Sequence, residues 1–117
     1  MKTEVRITSS FKKAVKPLLK KYASLLGELV DLESHLLKNP RTGTSLGHGA
    51  YKIRLKIKSK GKGKSGGARL ISLVETEIVG VVEASEETTI VNLITIYDKA
   101  EKSTITNAEL RELIKSI

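Results

Sequence analysis

Hydrophobic and polar positions along this chain change period several times, and each change marks an element. From Glu4 to Thr8, Val5 and Ile7 alternate with polar side chains, the two-residue period of a short strand. Phe11, Val15, Leu18, Leu19 and Tyr22 then recur at helical spacing, with Lys12, Lys13, Lys16, Lys20 and Lys21 between them. Ser9 or Ser10 is placed to cap this helix. Pro17 lacks an amide proton and crowds the turn before it, which predicts a kink or a break. Ser24 opens a second helix with a stripe of Leu25, Leu29, Leu32 and Leu36, widened by Leu26, Val30 and Leu37. Pro40 disfavours helical geometry at Asn39 and ends it. Residues 41–50, with Gly43, Gly47 and Gly49, read as a turn-rich loop.

Strict alternation returns from Tyr51 to Lys58. Tyr51, Ile53, Leu55 and Ile57 face one way, and Lys52, Arg54, Lys56 and Lys58 the other. A glycine-lysine loop fills residues 59–67. Arg69 to Val74 is nearly all apolar and reads as a central strand, extendable to Val79. Residues 80–87 read as a bulge and a turn, and Thr88 to Tyr97 as the last strand. Thr106 and Glu109 have capping-box spacing, and Leu110, Leu113, Ile114 and Ile117 give a final helix its stripe. The order is β-α-α-β-β-β-α. Strands joined in hairpins predict an α+β fold: an antiparallel sheet with the helices packed on one face, an N-terminal helical hairpin and a C-terminal helix. No linker or repeat divides the chain, so residues 1–117 read as one domain.

Composition narrows the function. With no cysteine there is no disulfide framework and no thiolate metal site, and with two histidines, His35 and His48, no His-rich metal site. No metal and no cofactor is expected. Without a membrane-length apolar run or a signal-like start, the expected location is the cytoplasm. Charge changes the picture most. The net charge is +8, and eight of the 21 cations lie between Tyr51 and Arg69 with no acid among them. The other thirteen balance the 13 acids. Alternate strand residues sit only about 7 Å apart, inside the screening length, so this face repels itself. A solvated edge strand also carries lysines, but a run this uniform points to a polyanion partner.

The loop Gly61-Lys62-Gly63-Lys64-Ser65-Gly66 has the glycine spacing of dinucleotide-binding turns, but that motif opens a helix and here a strand follows. Aromatics are few (Phe11, Tyr22, Tyr51 and Tyr97), so contact with the phosphate backbone is expected over base stacking. RNA is cut when its own 2′-hydroxyl attacks the next phosphate, which needs proton transfer and neutralisation of the phosphorane. Crowded positive charge makes lysine a better proton carrier near neutrality, and the arginine fork suits non-bridging oxygens. Lys52 is therefore the candidate acid or base, and Arg54 and Arg69 the candidate clamps. Lys56, Lys58, Lys60, Lys62 and Lys64 are candidate RNA-binding cations.

Tyr51-Lys52-Ile53-Arg54-Leu55, the run from Ser59 to Arg69 and Ile96-Tyr97-Asp98-Lys99 resemble one branch of the RelE/ParE toxin superfamily. So does the preceding helical hairpin with its Asn39-Pro40 end. The resemblance covers nearly the whole chain. It implies a RelE-like fold and the toxin of a type II toxin–antitoxin system, masked by a cognate antitoxin. It further implies a metal-independent hydrolase, an mRNA endoribonuclease that acts in the ribosome and inhibits translation. Lys52 and Arg54 match the basic pair of the family, Arg69 the arginine that opens the next strand, and Lys99 a basic position after the last strand. Ile105 lies near the position of the tyrosine found in the best-known nuclease members, which leaves Tyr97 as the candidate replacement. The alternatives are a ParE-like inhibitor of DNA gyrase and a non-enzymatic nucleic-acid-binding module.

Overall fold

Leu70 and Ile71 are consecutive and both fully buried, yet they belong to different hydrophobic clusters. Successive strand residues point to opposite sheet faces, so this strand is covered on both sides. The computed structural model describes residues 2–60, 67–79 and 86–117. A five-stranded sheet runs in the order β1-β5-β4-β3-β2, where β1 is Lys2–Ile7, β2 Thr44–Gly47, β3 Ala50–Leu55, β4 Ala68–Val79 and β5 Glu86–Asp98. The helices are α1 (Ser9–Lys21), α2 (Leu25–Lys38) and α3 (Asn107–Lys115). None of the described helices is long and apolar enough to cross a membrane.

On one face, Phe11, Val15 and Leu18 of α1 and Leu25 and Leu36 of α2 pack against Ile53, Leu70, Val91 and Ile96. Each such side chain contributes roughly 1.5–3 kcal/mol by leaving water. On the other face, Leu110 of α3 packs with Ala50, Ile71, Leu73 and Ile94. The α+β class read from the periodicity stands, with two corrections. The sheet is mixed rather than antiparallel, because β1 runs parallel to β5 with Lys2 against Thr88 and Ile7 against Leu93. The helices also lie on both faces. A two-residue period reports which side of a strand is buried, but not which strand it pairs with.

The loop read at residues 41–50 contains a strand. β2 and β3 form a hairpin across His48 and Gly49, with φ of 53° and 83°. Two consecutive positive φ values are what a two-residue hairpin turn of matching twist requires. Helix α1 runs unbroken through Pro17. That residue is on the exposed side, where a carbonyl deprived of its amide partner is within reach of water. Thr8, rather than Ser9 or Ser10, caps α1 by accepting from the Phe11 amide at 3.2 Å. The capping box of Thr106 and Glu109 is present. The bulge and turn expected at residues 80–87 fall almost wholly outside the described residues. A register slip does occur at Ile71/Ser72, where Ile71 faces Thr95 and Ser72 faces Leu93. The extra residue, Ile94, is buried in the α3 cluster.

The basic strand is shorter than its alternation suggests. β3 ends at Leu55, although Ile57 still buries itself in the first cluster. Residues 58–60 then form a single 3₁₀ turn. The Lys58 amide donates to Glu28 of α2 at 2.8 Å and the Ser59 amide to Ser24 at 2.9 Å. Gly67 precedes β4 with φ +47°, and a Cβ there would lie 2.2 Å from the Leu55 carbonyl oxygen. That neighbour is backbone and cannot rotate away. Gly67→Ala is therefore expected to lower stability by about 2–3 kcal/mol. The urea midpoint should fall with the slope unchanged, and an unmoved midpoint would mean that the β3–β4 junction yields freely.

Candidate nucleic-acid interface

Sheet register decides which cations meet. Arg54 lies directly across from Arg69, and Arg69 directly across from Tyr97. Directly opposed residues share a face, so Arg54, Arg69 and Tyr97 form one row across three strands, about 10 Å long at the usual strand spacing. Lys52 is two residues before Arg54 and shares that face, about 7 Å along β3. This is the face on which α3 packs, since Ile71 between Arg69 and Leu73 looks the other way from Leu70. The row lies on the strands just beyond the Ile71–Leu73 patch that α3 covers.

The four groups differ in exposure. Arg54 is exposed, Lys52 and Tyr97 are half-buried, and Arg69 is buried at 9%. Arg69 also donates from Nη1 to the Ala68 carbonyl at 3.2 Å, which orients its guanidinium. A buried, oriented fork beside an exposed one suits two oxygens of a phosphate. Lys99 sits just past β5. Its ammonium donates to the Ser103 carbonyl at 2.6 Å and its amide to the Gly67 carbonyl at 3.0 Å. In this structure Lys99 thus holds a turn. Lys56 and Lys58 are exposed, and Lys62 and Lys64 lie outside the described residues.

Lys60 belongs to a different site. Its ammonium is 2.7 Å from Asp98 Oδ1 and 3.2 Å from the Gly67 carbonyl, and its side chain is 5% exposed. Asp98 pairs across the ladder with Ala68, on the face of α1 and α2, opposite to Arg69. The Tyr22 hydroxyl donates to Asp98 Oδ2 at 2.5 Å, and the Ala100 amide to Oδ1 at 2.9 Å. Burial alone pushes the Asp98 carboxyl up, but the hydrogen bonds from Lys60, Tyr22 and Ala100 outweigh it and hold the group down at about 2. At the end of its strand Asp98 thus forms a turn through the Ala100 amide, and its ion pair is with Lys60, 38 residues away, rather than with its neighbour Lys99. Nothing in the sequence marks Lys60 out from the other lysines of its run. The one signal was Asp98 itself, an acid that closes the largely apolar run of residues 90–97.

Tyr97 also walls a cleft of about 510 Å³ between β5 and α3, with Ile105, Ala108 and Leu113 among its other walls and Lys102 and Glu109 at its rim. The Tyr97 hydroxyl is buried without a hydrogen-bond partner among the described residues. Leaving such a group unpaired costs about 1–3 kcal/mol, and buried orphans concentrate where a ligand or a reaction supplies the partner. Lys102 contacts Glu109, and that contact, followed by the capping bond to the Thr106 amide, holds the Glu109 carboxyl below its ordinary value. His48 is the first turn residue of the β2–β3 hairpin, and His35 is exposed on α2. Neither of them shares a strand with the row. No protein-family model, curated protein or solved structure matches the chain.

Proposed function

We propose that this chain is an RNA-cleaving toxin of the RelE/ParE kind, which cuts mRNA in the ribosome and is held in check by an antitoxin. The observation that carries the reading is the row Arg54–Arg69–Tyr97, with Lys52 beside it on the same sheet face. The resemblance of the basic strand, the glycine-lysine loop and the Tyr97-Asp98-Lys99 segment to that superfamily supplies the toxin context.

The chemistry is internal transesterification. The 2′-oxygen of one nucleotide bonds to the neighbouring phosphorus, the bond from phosphorus to the 5′-oxygen breaks, and a cyclic 2′,3′-phosphate and a 5′-hydroxyl result. One proton leaves the 2′-hydroxyl and one arrives at the 5′-oxygen. Lys52 carries one of these transfers. The guanidiniums of Arg54 and Arg69 hold the non-bridging oxygens, where negative charge grows as phosphorus becomes five-coordinate. Tyr97, whose buried hydroxyl is otherwise unpaired, supplies a hydrogen bond to the reacting phosphate or the leaving oxygen once its ring turns toward the row. Lys56 and Lys58 add backbone contacts at the end of β3. An antitoxin carrying acids, or a helix or strand laid over this face, would silence it by charge complementarity.

The test is to program ribosomes with a defined mRNA, add the purified chain and map the ends of the transcript. Cleavage at defined positions, leaving a cyclic phosphate, is expected without added metal. Intact mRNA together with gyrase-dependent double-strand breaks in DNA would move the chain to the gyrase inhibitors.

A further inference from the structure

Helix α1 carries five lysines and no acid. Lys12, Lys13, Lys16 and Lys20 are all exposed, and none makes an ion pair among the described residues. Lys21 differs, since it pairs with Glu101 and approaches Asp98. At about 100° per residue, the four unpaired lysines fall within roughly 100° of arc, away from the Phe11–Val15–Leu18 stripe. Lys12, Lys16 and Lys20 follow one another at four-residue steps, a rise of about 6 Å each. Like charges at that spacing weaken a helix rather than support it. Acids exist nearby in the sequence, at Glu28, Asp31 and Glu33 of α2, but they do not neutralise this face. The stripe lies on the α1/α2 side of the sheet, and the arginine row lies on the α3 side.

We infer that α1 is a second RNA-binding surface, which grips the phosphate backbone of a structured, duplex-like RNA while the arginine row handles a single strand. It goes beyond the proposed cleavage site and does not depend on it. A rigid stripe about 12 Å long is suited to the regular backbone of a helix. Unstacked bases would need exposed rings, and the two aromatics on or next to α1, Phe11 and Tyr22, are buried at 3% and 8%. An anionic membrane is the less fitting partner, because the lysine arc itself offers no large apolar side chain for insertion and the exposed Leu26, Val30 and Leu37 lie on a different helix, α2. Two RNA surfaces on opposite faces make the chain bivalent toward one folded RNA particle. Binding at one face then raises the effective concentration at the other.

The experiment compares the full chain with Lys12→Gln/Lys16→Gln/Lys20→Gln and with Arg54→Gln/Arg69→Gln. Folding is checked first by circular dichroism, and the helix substitutions, being exposed, leave it unchanged. The probes are a short RNA duplex, a single-stranded RNA of equal length, and vesicles rich in phosphatidylserine. The helix variant is expected to bind the duplex about tenfold or more weakly at physiological salt. Its log affinity against log salt should flatten by about 2, since each lost phosphate contact removes about 0.7–0.9. Its single-strand binding should hold, and the arginine variant should show the reverse pattern. Unchanged duplex affinity and slope in the helix variant would reduce the stripe to a solvated face. Loss of vesicle binding with RNA binding intact would make it a membrane contact and overturn the inference. Because these are binding measurements, a chain that cleaves nothing but loses duplex affinity on helix substitution keeps the α1 surface and loses only the nuclease.

Discussion

Asp98→Asn is expected to destabilise the chain by about 3 kcal/mol, since removing one partner of a buried charge pair leaves the other uncompensated. Lys60 is then the stranded group, with a side chain only 5% exposed and the Gly67 carbonyl as its remaining hydrogen-bond partner beside the Tyr22 ring. Tyr22 would lose its short bond to a charged acceptor as well. Replacing both partners at once, as Lys60→Met with Asp98→Asn, should be less damaging than the two single losses added together, because the groups interact directly. The acid limb of stability carries the same information. The carboxyl is held at about 2 in the folded chain against 3.8 as its ordinary value. A group depressed on folding stabilises above its unfolded value and loses that contribution as pH falls toward its folded value. About 2 kcal/mol should therefore be present at neutral pH and drain away between roughly pH 4 and pH 2. Urea titrations across that window should show the slope in the parent chain and a much flatter one in Asp98→Asn. Parallel curves for the two proteins would mean that the pair contributes little.

The second large effect is kinetic and rests on the proposed cleavage. In single-turnover reactions at saturating protein, Lys52→Ala should slow cleavage by roughly 10²–10⁴, the usual range for a lost proton-transfer group. Arg69→Lys should slow it by about 10²–10³, because lysine retains the charge but not the two-pronged geometry directed at the developing oxyanion. Lysine is preferred to alanine there, since Arg69 is buried at 9% and truncation would also open a cavity. Lys56→Ala, at an exposed position past the end of β3, should raise the half-saturating concentration and leave the saturated rate alone. Equal small losses in all three variants would describe a diffuse binding surface with no reactive centre.

Much of this architecture can be read from period alone. Alternation along Tyr51–Lys58 predicted which β3 residues face the α1/α2 core and which face the other way, because a two-residue period is a property of the extended chain itself. The helical stripes of α1, α2 and α3 follow equally from a local rule, and so does the capping box at Thr106, but Leu26, Val30 and Leu37 of α2 and Ile117 beyond α3, read into those stripes, are exposed. Pairing is not local. β1 has the signature of an edge strand whatever it joins, and only the tertiary structure set it parallel to β5. β2 escaped detection because Thr44-Ser45-Leu46-Gly47 has one apolar residue and no alternation to count, and its strand character comes from the partner supplied by the His48-Gly49 turn. The candidate site divides along the same line. That Arg54 and Lys52 share a face was fixed by their spacing. That Arg69 and Tyr97 complete the row depended on two registers, each of which a one-residue slip would have turned to the opposite face. Lys60 shows the limit most plainly. Its sequence neighbours make it one more cation in a basic run, and only the fold, by bringing Asp98 and Tyr22 to it across the core, makes it a buried structural charge.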